Sequence, residues 1–370
     1  MRATATRVAA PVRELEVSAF TVPTDAPEAD GTLEWDATTI VVVHAHADGE
    51  HGIGYTYGDI ATARLIEGRL AETVRGSDAM SPQAAWRAMT REIRNAGRPG
   101  IGAMAISAVD LALWDLKARL LELPLCVLLG MAVDRVPIYG SGGFTSYSSS
   151  RLQEQLAGWV DRGIPRVKMK VGSSPETDPA RVRSAREVIG PNTELFVDAN
   201  GAYTRKQALA LAERFRSDAE VSWFEEPVSS DDLEGLRLAR DRAPAGMAIA
   251  AGEYGYDAGY FRRMLEAEAV DVLQADVTRC GGITELVRVD ALCRAHHLPI
   301  SLHCGPQIHL HPGLALGQLV HLEYFHDHVR IEQLLFDGVA TPQQGALFAD
   351  LDRPGNGIEL KRADAERYAA

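Results

Sequence analysis

The sequence lacks any excess of positive charge. Its 38 lysines and arginines face 51 aspartates and glutamates, a formal net charge of −13 over 370 residues. The arginines are scattered, so there is no basic surface to hold phosphate backbones, and nucleic acid is excluded as a partner. Cysteine is sparse. Cys126, Cys280, Cys293 and Cys304 form no close pairs, which argues against a disulfide framework or a zinc knuckle and fits reduced thiols. No apolar run approaches the ~20 residues that a membrane-spanning helix needs. The segment Met1 to Phe20 carries Arg2, Arg7, Arg13, Glu14 and Glu16 with no continuous apolar stretch, so no signal peptide is read and a cytoplasmic protein is expected. Nucleotide and serine-nucleophile signatures are missing too. Gly52, Gly54 and Gly58 lack the strand-to-helix setting of a dinucleotide loop, there is no Walker loop, and Tyr139 to Gly143 is not a nucleophile elbow.

What is present is an ordinary globular composition, 46% hydrophobic and 24% charged, with ample apolar surface to bury against chain entropy. The length suits two or three domains, or one barrel of ~250 residues with an appendage. The first 130 residues read as a small α+β domain. Thr39 to His46 is rich in β-branched residues, Asp48-Gly49 follows, and Gly54 to Tyr57 forms a second short segment, which together predict an antiparallel hairpin. Ile106, Val109, Leu113, Leu116 and Leu120 recur at spacings of 3, 4, 3 and 4, one buried helical stripe. Val22 to Gly31 reads as a mobile loop, and Pro124 and Gly130 close the region.

From Val136 the pattern becomes regular. Apolar segments at 136–140, 167–171, 194–199, 221–226, 247–253, 270–276, 299–303 and 320–324 make eight strand candidates, with helix-length stretches between most of them. Alternation at that pitch predicts a parallel α/β sheet, and eight units suggest closure into a TIM-type barrel. Asp327 to Gln333 shows no obvious amphipathic helix, and the tail beyond it is expected to return to the N-terminal domain.

The strand ends carry the chemistry. They close on Lys168 and Lys170, Asp198, Glu225, Glu253, Asp276, His303 and Glu323. In a barrel these ends share one rim, and unpaired charges are costly to bury there. Asp198, Glu225 and Glu253 come from three successive strands. Each alone could cap the next helix, but three carboxylates facing one point repel unless a hard cation joins them; oxygen-only ligation suits Mg²⁺, with Mn²⁺ possible. Lys168 and Lys170 lie two apart and share a face of strand two, where each would depress the other's pKa and leave one usable as a base. Asp276 and His303 end neighbouring strands, within hydrogen-bonding reach, so the carboxylate would fix the imidazole tautomer. Lysine and histidine are expected nearly across the barrel from Glu253 and from each other. His309, His311, His326 and His328 read as structural.

Together these residues resemble the enolase superfamily, in its mandelate racemase-like subgroup. The resemblance rests on Ala105 to Ala118 (AISAVDLALWDLKA), KMK at 168–170, VDAN at 197–200, FEEP at 224–227, GE at 252–253, and the series Asp276, His303, Glu323. Weak singly, these motifs are specific as an ordered set covering nearly the whole chain. The resemblance implies a capping domain over 1–130, a modified (β/α)7β barrel over 131–327, and a segment 328–370 returning to the cap. It implies that Asp198, Glu225 and Glu253 hold Mg²⁺, that Lys170 is one base, and that Lys168 helps neutralise a substrate carboxylate. His303, oriented by Asp276, would act on the opposite face, a protonated Glu323 would donate to the carboxylate, and Asn200 would contact metal-bound or substrate oxygen. Asp276-Val-Thr-Arg279 puts no lysine beyond strand six, a departure from the muconate-cycloisomerase and dipeptide-epimerase pattern. The substrate is expected to be a small carboxylate and the assembly a homo-oligomer. Dehydration of an aldonic or aldaric acid is the favoured reaction, from the likeness of 275–282 and 323–330 to acid-sugar dehydratases and from the polar stretch Thr21 to Trp35. Racemisation of an α-hydroxy acid is the alternative. A metal-binding barrel that serves only as a scaffold is a third reading, and would not require Lys170 or the His303–Asp276 pair. The role of Gly140 to Ser150 is not legible.

Overall fold

In the computed structural model, which describes residues 10–370, a three-stranded antiparallel sheet packs on a closed eight-stranded parallel barrel. The first nine residues, part of the segment read above for a leader, lie outside the described residues. The sheet comprises β1 (Glu14–Ala29), β2 (Glu34–Ala47) and β3 (Glu50–Tyr57), in the order β1-β2-β3. The predicted hairpin is β2–β3, and it turns at Asp48-Gly49, both at positive φ.

Most of the stretch Val22 to Gly31 is strand rather than loop. β1 continues to Ala29 against β2, with a register irregularity between Pro23 and Glu28. β1 is an edge strand, where a proline without an N–H costs no ladder bond, so the composition of a loop and the conformation of a strand coexist there. Val22, Glu28 and Ala29 are buried.

The helix Ile101–Leu120 carries the predicted stripe but is buried nearly all round. It lies between the cap sheet and the barrel. A Cβ on Gly54 would come 2.2 Å from the Ala108 carbonyl oxygen, and one on Gly52 the same distance from Leu116 N, so strand β3 and the helix touch backbone to backbone. The helix's buried polar side chains are all used. Asp110 accepts from the Thr284 N–H and hydroxyl at 2.9 and 2.7 Å, and Asp115 accepts from the Ile53 N–H at 2.7 Å and Arg119 Nε at 2.8 Å.

The barrel strands are β4 (Val136–Gly142), β5 (Arg166–Lys170), β6 (Glu194–Asp198), β7 (Trp223–Glu225), β8 (Ala248–Ala251), β9 (Val272–Ala275), β10 (Ile300–Leu302) and β11 (Leu319–Phe325). They pair in sequence order, and β11 closes on β4. Alternation sends Val167, Met169, Leu195, Val197, Phe224 and Leu273 outward into the helix layer. Inside, Tyr139, Phe196, Trp223, Ala250 and Val272 form an apolar floor, with His321 packed edge-on to Tyr139 and Trp223. Helices alternate with the strands, and another, His326–Leu335, follows β11 where the sequence pattern shows none. Its inward face mixes Val329, Ile331 and Leu335 with buried Asp327, His328 and Glu332, which breaks the apolar periodicity.

Beyond that helix, β12 (Phe336–Asp337), β13 (Ala346–Leu347) and β14 (Glu359–Leu360) pin the C-terminal segment. β13 pairs with β4, and β12 with β14. The segment then reaches the cap: Asn356 Nδ2 donates to Ile53 O at 3.0 Å, Arg362 pairs with Glu16, and Ala370 N donates to Ala19 O at 3.0 Å. All four cysteines are buried and unpaired by disulfides. Among the described residues no helix is long and apolar enough to cross a membrane.

Candidate active site

The rim of the barrel gathers the ionisable strand ends under the cap sheet. Asp198 and Glu225 are the final residues of β6 and β7 and stand in register. Glu253 follows β8 after Gly252, whose φ of +135° and carbonyl contact, 2.2 Å from where a Cβ would stand, admit only glycine. One oxygen from each of the three carboxylates lies within 4.8 Å of the others, and all three residues are buried. None of them caps a helix. That work falls to Thr204, Asp232 and Asp257, the N-caps of the helices following β6, β7 and β8.

The donor set fits a hard divalent cation. Every donor is a carboxylate oxygen, and Glu253 Oε2 is buried and accepts no hydrogen bond although it lies 3.2 Å from His303 Nε2. Burial and the neighbouring Asp198 carboxylate push the Glu225 carboxyl well above its usual range, the mark of negative groups crowded without enough countercharge. Glu226, at a left-handed φ of 39°, adds a fourth buried carboxyl raised by burial and by Glu253.

Lys168 and Lys170 share one face, and Lys168 does lower the pKa of Lys170 as expected, but neighbouring carboxylates outweigh that effect. Burial would lower both; Glu225 and Glu323 outweigh it at Lys168, and Asp198 outweighs it at Lys170, so both are held above the usual lysine range. Lys168 is fully buried on Tyr139, with Nζ 2.6 Å from Glu225, 2.8 Å from Glu323 and 3.4 Å from Asp198. It does not line the substrate cavity and therefore sits beneath the site as a shared countercharge. Lys170 does line the cavity; its ammonium donates to Asp198 Oδ2 at 2.5 Å and to Asn200 Oδ1 at 3.0 Å. Asn200 is thus placed by Lys170 and by its own N–H to Asp198.

His303 meets Asp276 as expected, Nδ1 to Oδ2 at 2.9 Å. Asp276 also takes the Thr278 N–H; burial, which raises its pKa, is outweighed by His303, His309 and Arg279, and the carboxyl lies well below its usual range. The expectation that histidine and Glu253 stand across the barrel from each other fails at the 3.2 Å contact already noted. The strands are two apart, and the long Glu253 side chain spans the gap. The surroundings of Glu323 favour its ionised form rather than the protonated one expected. Burial would raise its pKa, but Lys168, His303 and Lys170 hold it well below the normal range. Its oxygens already accept from Lys168, the Ser141 hydroxyl at 2.5 Å and the Cys304 N–H at 3.1 Å.

Several lining residues carry no sequence signal of their own. The cavity, about 460 Å³, runs from Lys170, Glu253 and His303 up to Trp35, Thr38 and Tyr57 of the cap. Arg279 lines it, with Nη1 3.3 Å from Glu253 Oε1 and Nε 3.6 Å from Asp276. Ser141 was findable, since it stands two residues after the inward Tyr139 on β4. The segment Gly140 to Ser150 joins barrel and cap: Thr145 Oγ1 donates to Asp30 O at 2.6 Å, Ser146 Oγ to Pro27 O at 2.8 Å, and Phe144 packs edge-on against Trp35.

A closed parallel barrel with three rim carboxylates, a lysine and an Asp–His pair under an antiparallel cap defines an enolase-type α/β enzyme fold. The chain belongs to the mandelate racemase/muconate lactonizing enzyme family: the model of that family's N-terminal domain matches residues 15–130, and the enolase C-terminal domain-like model matches 151–365. It is 32% identical over 346 residues to 3,6-anhydro-alpha-L-galactonate cycloisomerase of Streptomyces coelicolor, covering 92% of this chain and 93% of that one. It is 29% identical to arabinonate dehydratase of Saccharolobus solfataricus, covering 92% of each. Among solved structures, a mandelate racemase/muconate lactonizing enzyme-like protein from Rubrobacter xylanophilus superposes with a TM-score of 0.96 at 61% identity, over 97% of this chain and 100% of that one. A racemase from Streptomyces coelicolor A3(2) with bound magnesium gives 0.91 at 29% identity, again over 97% and 100%.

Proposed function

We propose that this enzyme removes the α-proton of an aldonic or aldaric acid and expels the β-hydroxyl, yielding a 2-keto-3-deoxy acid after tautomerisation. The observation that carries the reading is one cavity lined by Lys170, His303 and Glu253, with Asp276 on His303 and with Asp198 and Glu225 grouped with Glu253 at its base. A relative named for arabinonate dehydration supports the substrate class. The magnesium-bound neighbour supports Mg²⁺ as the cation for Asp198, Glu225 and Glu253, and Mn²⁺ suits the same oxygen donors. When bound, that ion supplies Lewis-acid stabilisation of the charge that builds on the substrate carboxylate.

The protein's own residues do the rest. Lys170 takes the α-proton as the neutral amine, the form favoured when a cation on Asp198 competes with it for that carboxylate, and Asn200 Oδ1 accepts from the ammonium so formed. His303, its tautomer fixed by Asp276, gives a proton to the leaving hydroxyl. Glu323 Oε2 stands 3.8 Å from His303 Nε2, the nitrogen that must donate. Lys168 balances Glu225 and Glu323 from below. If the β-oxygen belongs to a ring, the same elimination opens the ring instead of releasing water, which accommodates the cycloisomerase relative. Proton return to the other face would give an epimer, a second reading favoured by the racemase neighbour.

The test is 2-keto-acid formation from a full stereochemical set of pentonic, hexonic and hexaric acids with Mg²⁺. Lys170→Ala should keep the fold and lose turnover by a factor of at least ~10². His303→Asn should still exchange an α-proton in D₂O but fail to dehydrate. Full dehydration by His303→Asn would remove it as the acid, and epimer without keto acid from the unmodified enzyme would favour racemisation.

A further inference from the structure

We infer that the substrate carries a single carboxylate and presents an uncharged end to the cap. This rests on the acid-sugar reading above and narrows it to monocarboxylates. The cavity is polarised. Its two cationic side chains, Lys170 and Arg279, are both at the barrel end, tied to Asp198 and Asn200 in one case and to Glu253 and Asp276 in the other. Among the described residues no lysine or arginine of the cap lines the cavity.

The cap end is instead acidic and neutral. Asp30 and Asp59 line it together with Leu33, Trp35, Thr38 and Thr39. The two aspartates are fixed in turns, Asp30 by the Leu33 N–H at 2.8 Å and Asp59 by the Ala61 N–H at 2.8 Å. Behind the wall, the Thr38 hydroxyl donates to buried Asp327 at 2.5 Å, a carboxylate already paired with Arg330 at 2.7 Å, so the hydroxyl's own proton is committed away from the cavity. Arg330 and Arg151 are held by Asp327 and Asp25 and do not line the space. His328 offers no cation either, because its Nδ1 accepts the Gly305 N–H while its ring lies flat on Tyr57. Trp35 has committed its indole N–H to Glu28 at 2.9 Å and so presents ring to the cavity, a surface for sugar C–H groups rather than for an anion.

A second carboxylate reaching the cap would meet Asp30 and Asp59 with no cationic side chain of the cap lining the space. Like-charge juxtaposition of that kind costs enough to lower kcat/KM by roughly 100-fold or more. Terminal hydroxyl, methyl or ring groups meet threonine hydroxyls and apolar surface instead.

The experiment uses the full chain with Mg²⁺ and matched pairs of aldonate and aldarate that share carbon number and hydroxyl configuration. It reads both α-proton exchange in D₂O and keto-acid release. The expected result is exchange and water loss confined to monocarboxylates, with kcat/KM about 100-fold or more above the matched dicarboxylate. Equal or better turnover of dicarboxylates would overturn the inference while leaving the acid-sugar reading intact. Exchange with neither series would overturn both.

Discussion

Asp198, Glu225 and Glu253 were readable because strand alternation makes the last inward position of a barrel strand a site position whatever the loop beyond it does. Their shared point of aim leads to a direct test: Asp198→Asn should abolish Mg²⁺ binding by calorimetry without loss of helical signal, and unchanged affinity would exclude Asp198 from the set. Protonation states were not readable in the same way. Those of Lys170 and Glu323 depend on ångström distances to partners on other strands, and spacing within one strand says nothing about those. Glu332 shows how such a state reports on stability. It is fully buried, and burial, opposed by hydrogen bonds from Tyr55 and Gln307, raises its carboxyl from 4.5 to about 8. The folded protein therefore holds a proton that the unfolded chain releases. Stability from this group is complete below pH 4.5 and is lost as pH rises through about 8. Glu332→Gln should flatten the fall in melting temperature between pH 5 and 8, a difference on the order of a few kcal/mol. An unchanged slope would show that Glu332 ionises freely in the fold.

Among the elements, the barrel strands were legible because their apolar runs recur at a near-constant pitch. The elements that escaped carry mixed signals. β1 holds Pro23 and Pro27 within a strand, and the helix His326–Leu335 buries Asp327, His328 and Glu332 among its apolar residues, so neither period stands out. The helix Ile101–Leu120 was legible as a helix yet not as a spine, because its second buried face packs on glycines of β3, which leave no hydrophobic trace. Gly54→Ala should therefore force β3 and that helix apart and destabilise the protein by about 2–3 kcal/mol, measured by denaturant unfolding. A variant as stable as the parent would mean that the two backbones separate freely.

Across the whole molecule, cap and barrel are held together by that helix, by Gly140 to Ser150 and by the C-terminal segment; the return of that segment was expected, but its contacts join residues far apart in sequence and no local pattern specifies them. Removing residues 356–370 breaks the links to Ile53, Glu16 and Ala19 but leaves the β4–β11 closure untouched. Amide exchange should then lose protection in β1 to β3 while β6 and β7 stay protected. Uniform loss would show one cooperative unit instead.

The returning segment also sets an order of events during synthesis. The β1–β3 sheet leaves the ribosome before any barrel strand, and the barrel can close once β11 has emerged. Residues 356–370, which complete the cap's contacts, follow both. A nascent chain can therefore own a finished barrel, with its rim carboxylates already assembled, while the roof above them is still unlatched.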